Sequence, residues 1–175
     1  VQKCTNLDAS SIFHISEKTM IERPRLVPPP FRKVGVIAGN FDVIHPGYVR
    51  FFKDAKENAC DTLTIALHVD PTIERPSKAK PILTAEERTE ILLAIKYVDR
   101  VLYYNTEKEL EQLLESIPDH IRVIGTDYEG RDFTGKHLAK QVHYHSRNHD
   151  WSTTRFKSEI TKQCIRQGTI NLEEI

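Results

Sequence analysis

The chain is poor in the residues that staple, anchor or charge a protein. Its three cysteines, Cys4, Cys60 and Cys164, are odd in number, far apart and never in a Cys-x-x-Cys pair. That pattern disfavours both a disulfide framework and a thiolate zinc site, so a reducing, cytoplasmic setting is expected. No apolar run approaches the roughly 18 to 20 residues that a membrane helix needs. The first residues also lack the basic, apolar and small-residue order of a signal peptide. Charge of one sign is missing as well, because 25 Lys plus Arg balance 25 Asp plus Glu. No global field therefore argues for nucleic acid or an anionic membrane, and any polyanion must be met by a local arrangement.

What is present reads as one domain with an extension, the usual reading for 175 residues. Residues 1–32 lack sustained periodicity and run into RPRLVPPPFRK (23–33), whose three consecutive prolines remove backbone donors and favour an extended arm or linker. The folded domain is expected over 33–175. VGVIAGNF (34–41) is a short β-branched apolar run that stops at Gly39, as a buried strand would. Pro46 suits the first turn of a helix reaching about Asn58. TLTIALHVD (62–70) is a second strand, and the Pro-rich PTIERPSKAKP (71–81) a mobile loop.

Thr84 with Glu87 forms a capping box for a helix to about Val98, with Ile91, Ile95 and Val98 as core positions. RVLYY (100–104), RVIG (122–125) and QVHYHS (141–146) are further strands, with a helix over 107–117. Strands alternating with helices at this spacing predict an α/β fold. The expectation is a Rossmann-like, doubly wound, five-stranded parallel sheet with helices on both faces.

In such a sheet ligands bind beyond the carboxyl ends of the strands. GNFDVIHPGY (39–48) lies at the first of those ends. Gly39 permits close backbone approach, Asn40 and Phe41 offer N–H groups, and the helix starting at Pro46 adds a positive end suited to phosphate. On local chemistry alone, His45 reads either as a catalytic donor or as a structural turn residue. Ser152 reads as an N-cap of the last helix, and the amides beside it could equally meet phosphate. His143, His145 and His149 form an i, i+2, i+6 set, but with no accompanying Cys or His pattern a zinc site is not expected.

Four ordered segments resemble a known family. GNFDVIHPGY is similar to the HxGH signature of the nucleotidyltransferase superfamily, and above all to glycerol-3-phosphate cytidylyltransferases and their relatives. RNHDWSTT (147–154) resembles that family's RTEGIST at Arg147, Ser152 and Thr153. IKYVDRVL (95–102) resembles IRYVDEV, and RVIGTDYEG (122–130) resembles a GDDWEG segment. The likeness covers about 33–162 and is silent on the first 32 residues.

The resemblance implies transfer of CMP from CTP to a small phosphorylated acceptor, glycerol 3-phosphate or another polyol or sugar phosphate, with release of pyrophosphate. ATP is the alternative donor, and a catalytically weakened nucleotide-binding module the alternative role. It implies a catalytic set of His45, Tyr48 and Lys80, and nucleotide contacts from Gly39, Asn40, Phe41, Gly47, Asp127, Arg147, Ser152 and Thr153. Lys78 and Arg88 would bind substrate, Lys78 and Lys80 either closing the 71–81 loop over two anions or remaining solvated. Mg²⁺ would arrive with the triphosphate, Asp42 being one outer-shell contributor without any dedicated carboxylate cage. A homodimer is implied, with neither nucleic acid nor membrane as partner. Tyr48 departs from the pattern, standing where the family carries its second histidine, and Lys96 stands where it often carries arginine. A phenol supplies one hydrogen bond and no positive charge.

Overall fold

A computed structural model describes residues 20–22, 32–148 and 150–169 of the chain. Five strands run parallel: β2 (Val34–Gly39), β3 (Thr62–His68), β4 (Arg100–Tyr104), β5 (Ile121–Gly125) and β6 (Gln141–His145). A sixth, β1 (Met20–Glu22), lies antiparallel against β4, Met20 opposite Leu102. The order across the sheet is β1-β4-β3-β2-β5-β6. The parallel strands thus match the expected doubly wound sheet, and β1 adds an edge from a stretch in which periodicity marks no strand. The Pro-rich 23–31 and His149 lie outside the described residues.

The described residues form four α-helices, α1 (Pro46–Asp54), α2 (Ala85–Ala94), α3 (Glu107–Glu115) and α4 (Thr153–Arg166), of which the first three pack on the sheet and α4 buries no residue. Pro46 opens α1 where its missing N–H costs nothing, and a π turn over Ala55–Ala59 ends it. Ile37, Leu63, Ile65, Leu67, Val101 and Val123 pack on one face against Phe51 and Phe52 of α1 and Leu92 of α2. Val36, Ala66 and Tyr104 pack on the other against Leu110 and Leu114 of α3. Each large side chain buried in this way contributes about 1.5 to 3 kcal/mol, which fixes the sheet as the rigid base of the strand-end loops.

Two details of α2 differ from the periodicity. Its capping box forms as expected, Thr84 Oγ1 accepting from Glu87 N and Glu87 Oε2 from Thr84 N. The helix stops at Ala94, though, and Ile91 is 38% exposed. The box sets a phase that turns Ala85, Arg88, Thr89 and Leu92 inward, while Ile95 leaves the helix in an extended conformation and reaches the core, with Val98, from the turn. In that turn Asp99 is buried, accepting from Leu63 N (2.7 Å) and Lys56 Nζ (2.8 Å). That explains the aspartate of IKYVDRVL without any ligand.

Candidate functional site

The direction of winding reverses between β2 and β5, and a cavity of about 750 Å³ opens at their carboxyl ends. Gly39, Asn40 and Asp42 line it from β2, and Gly125 from β5. Phe41, in the opening loop, adopts a left-handed φ of 47°, a conformation that costs a non-glycine residue on the order of 1 to 3 kcal/mol. Its ring holds it there, edge-on to Tyr48 at 5.2 Å and tilted on Phe52 at 5.6 Å. A Cβ on Gly39 would sit 3.0 to 3.1 Å from that ring. The close approach that Gly39 permits is therefore made by an aromatic side chain of its own loop.

His45 occupies the N-cap of α1 in extended conformation and is buried. Its ring stacks on Tyr48 at 4.4 Å and faces Trp151 at 6.0 Å. Thr153 Oγ1 lies 3.1 Å from the Tyr48 hydroxyl and 3.5 Å from His45 Nε2. Thus the HPGY turn and the Ser152-Thr153 step, far apart in sequence, meet at one hydroxyl. Gly47, Arg147 and Ser152 join them around a smaller adjoining cavity of about 100 Å³. Ser152 acts as the expected N-cap, its Oγ accepting from Arg155 N at 3.1 Å, and α4 brings the positive end of a fourteen-residue helix to the site.

Around this cluster the remaining expected residues divide. Lys78 lines the large cavity, whereas Lys80 is exposed and off its walls. Arg147 lines both cavities and pairs with Asp127 at 3.5 Å. The pair crosses Gly125 so closely that a Cβ there would collide with both side chains. Asp42 is buried, its Oδ1 accepting from Ile82 N (2.7 Å) and Leu83 N (3.0 Å) and its Oδ2 from Lys157 Nζ. Burial alone would raise this carboxyl, but the Lys157 hydrogen bond and the two amides outweigh it and hold the group below its ordinary value. Both oxygens of Asp42, expected as an outer-shell contributor, are thus tied to the 82–83 backbone and to α4. Among the described residues no group of three or more His, Cys, Asp or Glu could hold a metal ion.

Arg88, expected to contact substrate, lies beneath the site at 2% exposure. It donates to the carbonyls of Leu83, Thr84, Asn40, His68 and Val69 and to Asn40 Oδ1. This guanidinium binds the loops after β2 and β3 to the start of α2, so its work is to position the site. His143 Nε2 and His145 Nδ1 each lie 2.9 Å from Asp54 Oδ2, clasping β6 to α1. Burial would raise the Asp54 carboxyl, but the hydrogen bonds from His143, Asn58 and His145 hold it down.

Several wall residues escape the sequence reading: Lys157, Arg75, Glu107, Tyr104 and Arg122. Lys157 had a signal, since it follows Thr153 by one helical turn and shares its face. Arg122 had one too, as a cation inside an apolar strand.

With this geometry in view, comparison with known proteins is informative. Residues 36–165 match the model of the family described as cytidylyltransferase-like. The chain belongs to that family. Two cytidylyltransferase-like relatives indicate its breadth. FAD synthase of Thermococcus kodakarensis is 34% identical over 119 residues, 67% of this chain and 76% of that protein. Bifunctional protein HldE of Wolinella succinogenes is 34% identical over 113 residues, 63% of this chain. The chain spans only 23% of that HldE protein's length. The structure of the lipopolysaccharide core biosynthesis protein from Thermoplasma volcanium is also similar, with 20% identity and a TM-score of 0.47 over 76% of this chain and 89% of that one. Membership places the chain in the HxGH nucleotidyltransferase superfamily, with Tyr48 at the motif's last position.

Proposed function

We propose that this cytidylyltransferase-like chain transfers a nucleoside monophosphate from a nucleoside triphosphate to a small phosphorylated acceptor, releasing pyrophosphate. The observation that carries the proposal is the convergence of His45 and Tyr48 on the hydroxyl of Thr153, a residue that lines the strand-end cavity. An acceptor phosphate oxygen attacks the α-phosphorus, the bond from that phosphorus to the bridging oxygen breaks, and pyrophosphate leaves with the charge. Such a reaction needs positioning and preorganised donors rather than a covalent nucleophile. His45 donates to the triphosphate, Thr153 and the amides at the start of α4 bind its outer phosphates, and Tyr48 orients Thr153. Arg147 and Asp127 flank the nucleoside. Lys78 on the cavity wall, joined by Lys80 when the 71–81 loop closes, screens the repulsion between two anionic substrates. Mg²⁺ accompanies the triphosphate, liganded by phosphate oxygens and water.

CTP is the donor favoured by the likeness of RNHDWSTT to the cytidylyltransferases, with glycerol 3-phosphate or another polyol phosphate as acceptor. A second reading, ATP, is supported by the FAD synthase relative, whose named product contains adenine. The N-terminal arm and a homodimer are part of the same proposal, and sedimentation as a monomer would remove the latter. Pyrophosphate release measured across four nucleotides and a panel of phosphorylated acceptors identifies donor and acceptor together. Replacing His45 by Ala should cut kcat by on the order of 10² to 10³, and unchanged turnover would refute the role given to it. Nucleotide binding without pyrophosphate release for any acceptor would mark a binding module instead.

A further inference from the structure

The large cavity also has walls on the side of the sheet that α3 covers. Arg122 forms part of its wall with Tyr104, Glu107, Phe133 and Thr134. Arg122 stands on β5 opposite Val36, on the face that α3 covers, and is 4% exposed. Burial pushes its guanidinium down to about 10, which leaves it cationic at neutral pH. Of its five N–H donors, a single one meets a protein acceptor among the described residues, Nη1 donating to Val36 O at 3.1 Å. Its Nε is buried without a partner, and its guanidinium carbon lies 5.8 Å from the centroid of the Phe133 ring.

Among the described residues the carboxylate whose charge acts on it, Glu107, is already engaged. Glu107 accepts from Arg75 Nη2 at Oε1 and from Thr134 Oγ1 at Oε2. A buried charge costs several kcal/mol unless an opposite charge or a full set of hydrogen bonds offsets it. A bond to a strand carbonyl needs no cation, so holding β5 to β2 does not explain an arginine here. A planar fork of free donors fits a carboxylate or phosphate, which it can grip with two parallel bonds.

We propose that Arg122 is a specificity-determining contact for an oxyanion carried by the acceptor at the end remote from its attacking phosphate. The inference rests on the reading above, in which Thr153, Arg147 and Asp127 take the nucleotide. The preferred acceptor is then a doubly anionic molecule, a phosphate ester whose far end is a carboxylate or a second phosphate. Arg75 and Lys78 line the same cavity and bear the sign such a molecule requires.

The test uses 3-phosphoglycerate and glycerol 3-phosphate, which differ only in a distal carboxylate against a distal hydroxymethyl. Their binding to the full chain is measured by calorimetry, and their use by pyrophosphate release, for the wild type, Arg122→Met and Arg122→Lys. The wild type should favour 3-phosphoglycerate at least tenfold, Arg122→Met should bring the ratio to about one, and Arg122→Lys, lacking the fork, should fall between. An equal ratio in the wild type, or an unchanged ratio in Arg122→Met, overturns the proposal. Should Arg122→Met fail to fold, Arg122→Lys carries the same comparison. A calorimetric preference without turnover supports the subsite while refuting the transferase, and turnover without preference does the reverse. Without ligand, Arg122→Met should melt no lower than the wild type, because a buried charge with most of its donors unmet has been removed. A lower melting temperature with the ratio retained marks a structural arginine and overturns the proposal.

Discussion

Replacing Arg88 by Ala separates a positioning role from a substrate contact. The guanidinium makes six contacts of 2.7 to 3.2 Å, five to backbone carbonyls and one to the Asn40 side chain. The carbonyl of Thr84 also accepts from Arg88 N, and water can reach those near the surface. His68 O is the fully buried acceptor, and Asn40 O and Val69 O are partly buried. Two or three acceptors left dry at about 1 to 3 kcal/mol each give a loss of roughly 2 to 9 kcal/mol. Against a typical stability of about 5 to 15 kcal/mol, that is severe. Urea denaturation followed by circular dichroism should show the midpoint fall with little change in slope. Arg88→Lys, offering a compact ammonium in place of a fork, should lose about half as much. A loss under about 1 kcal/mol in Arg88→Ala, together with a raised KM for either substrate, would refute the reasoning and return Arg88 to the substrate.

Two further outcomes follow from the same interactions. The Asp42 carboxyl is held below its ordinary 3.8 in the folded chain, so the stability it contributes is full above about pH 4 and is lost as pH falls through the folded value. Asp42→Asn should therefore unfold at lower urea than the wild type at pH 7, with the gap closing below pH 4; a gap independent of pH would refute the pairing with Lys157. Tyr48→Phe removes the 3.1 Å contact with Thr153 and should cost about 0.5 to 1.5 kcal/mol. Faster amide exchange at the start of α4 should accompany that loss, and an unaltered exchange pattern would show that the hydroxyl does not dock the helix.

The parallel sheet was legible because β2, β3 and β5 are short, largely apolar runs that end near a glycine or a polar residue, and buried parallel strands read that way. β1 was not, since three residues carry no periodicity and the pairing with β4 is decided by the tertiary fold. On α2 the apolar spacing of Ile91, Ile95 and Val98 competed with the capping box, and the cap set the helical phase. HPGY and RNHDWSTT were legible as motifs, and the fold brings His45, Tyr48 and Thr153 of those two segments together. What sequence could not separate was burial from function among the cations. Arg88 and Lys80 were read as site residues, whereas the structure buries the first under the loops and leaves the second off the cavity wall. Arg122 passed as one strand residue because only the fold reveals that its side chain sits beneath α3.

The three residues of β1 bear on more than the edge they occupy. An open parallel sheet offers unpaired backbone groups at its outermost strands, where another chain can add itself. By running antiparallel along Arg100–Leu102, residues 20–22 occupy that template on the β4 side from within the same polypeptide. A chain cut to begin at Lys33 would keep every residue of the HPGY and RNHDWSTT segments, yet leave β4 exposed. The segment that lies outside the family likeness would then influence whether the protein stays dispersed rather than how it reacts.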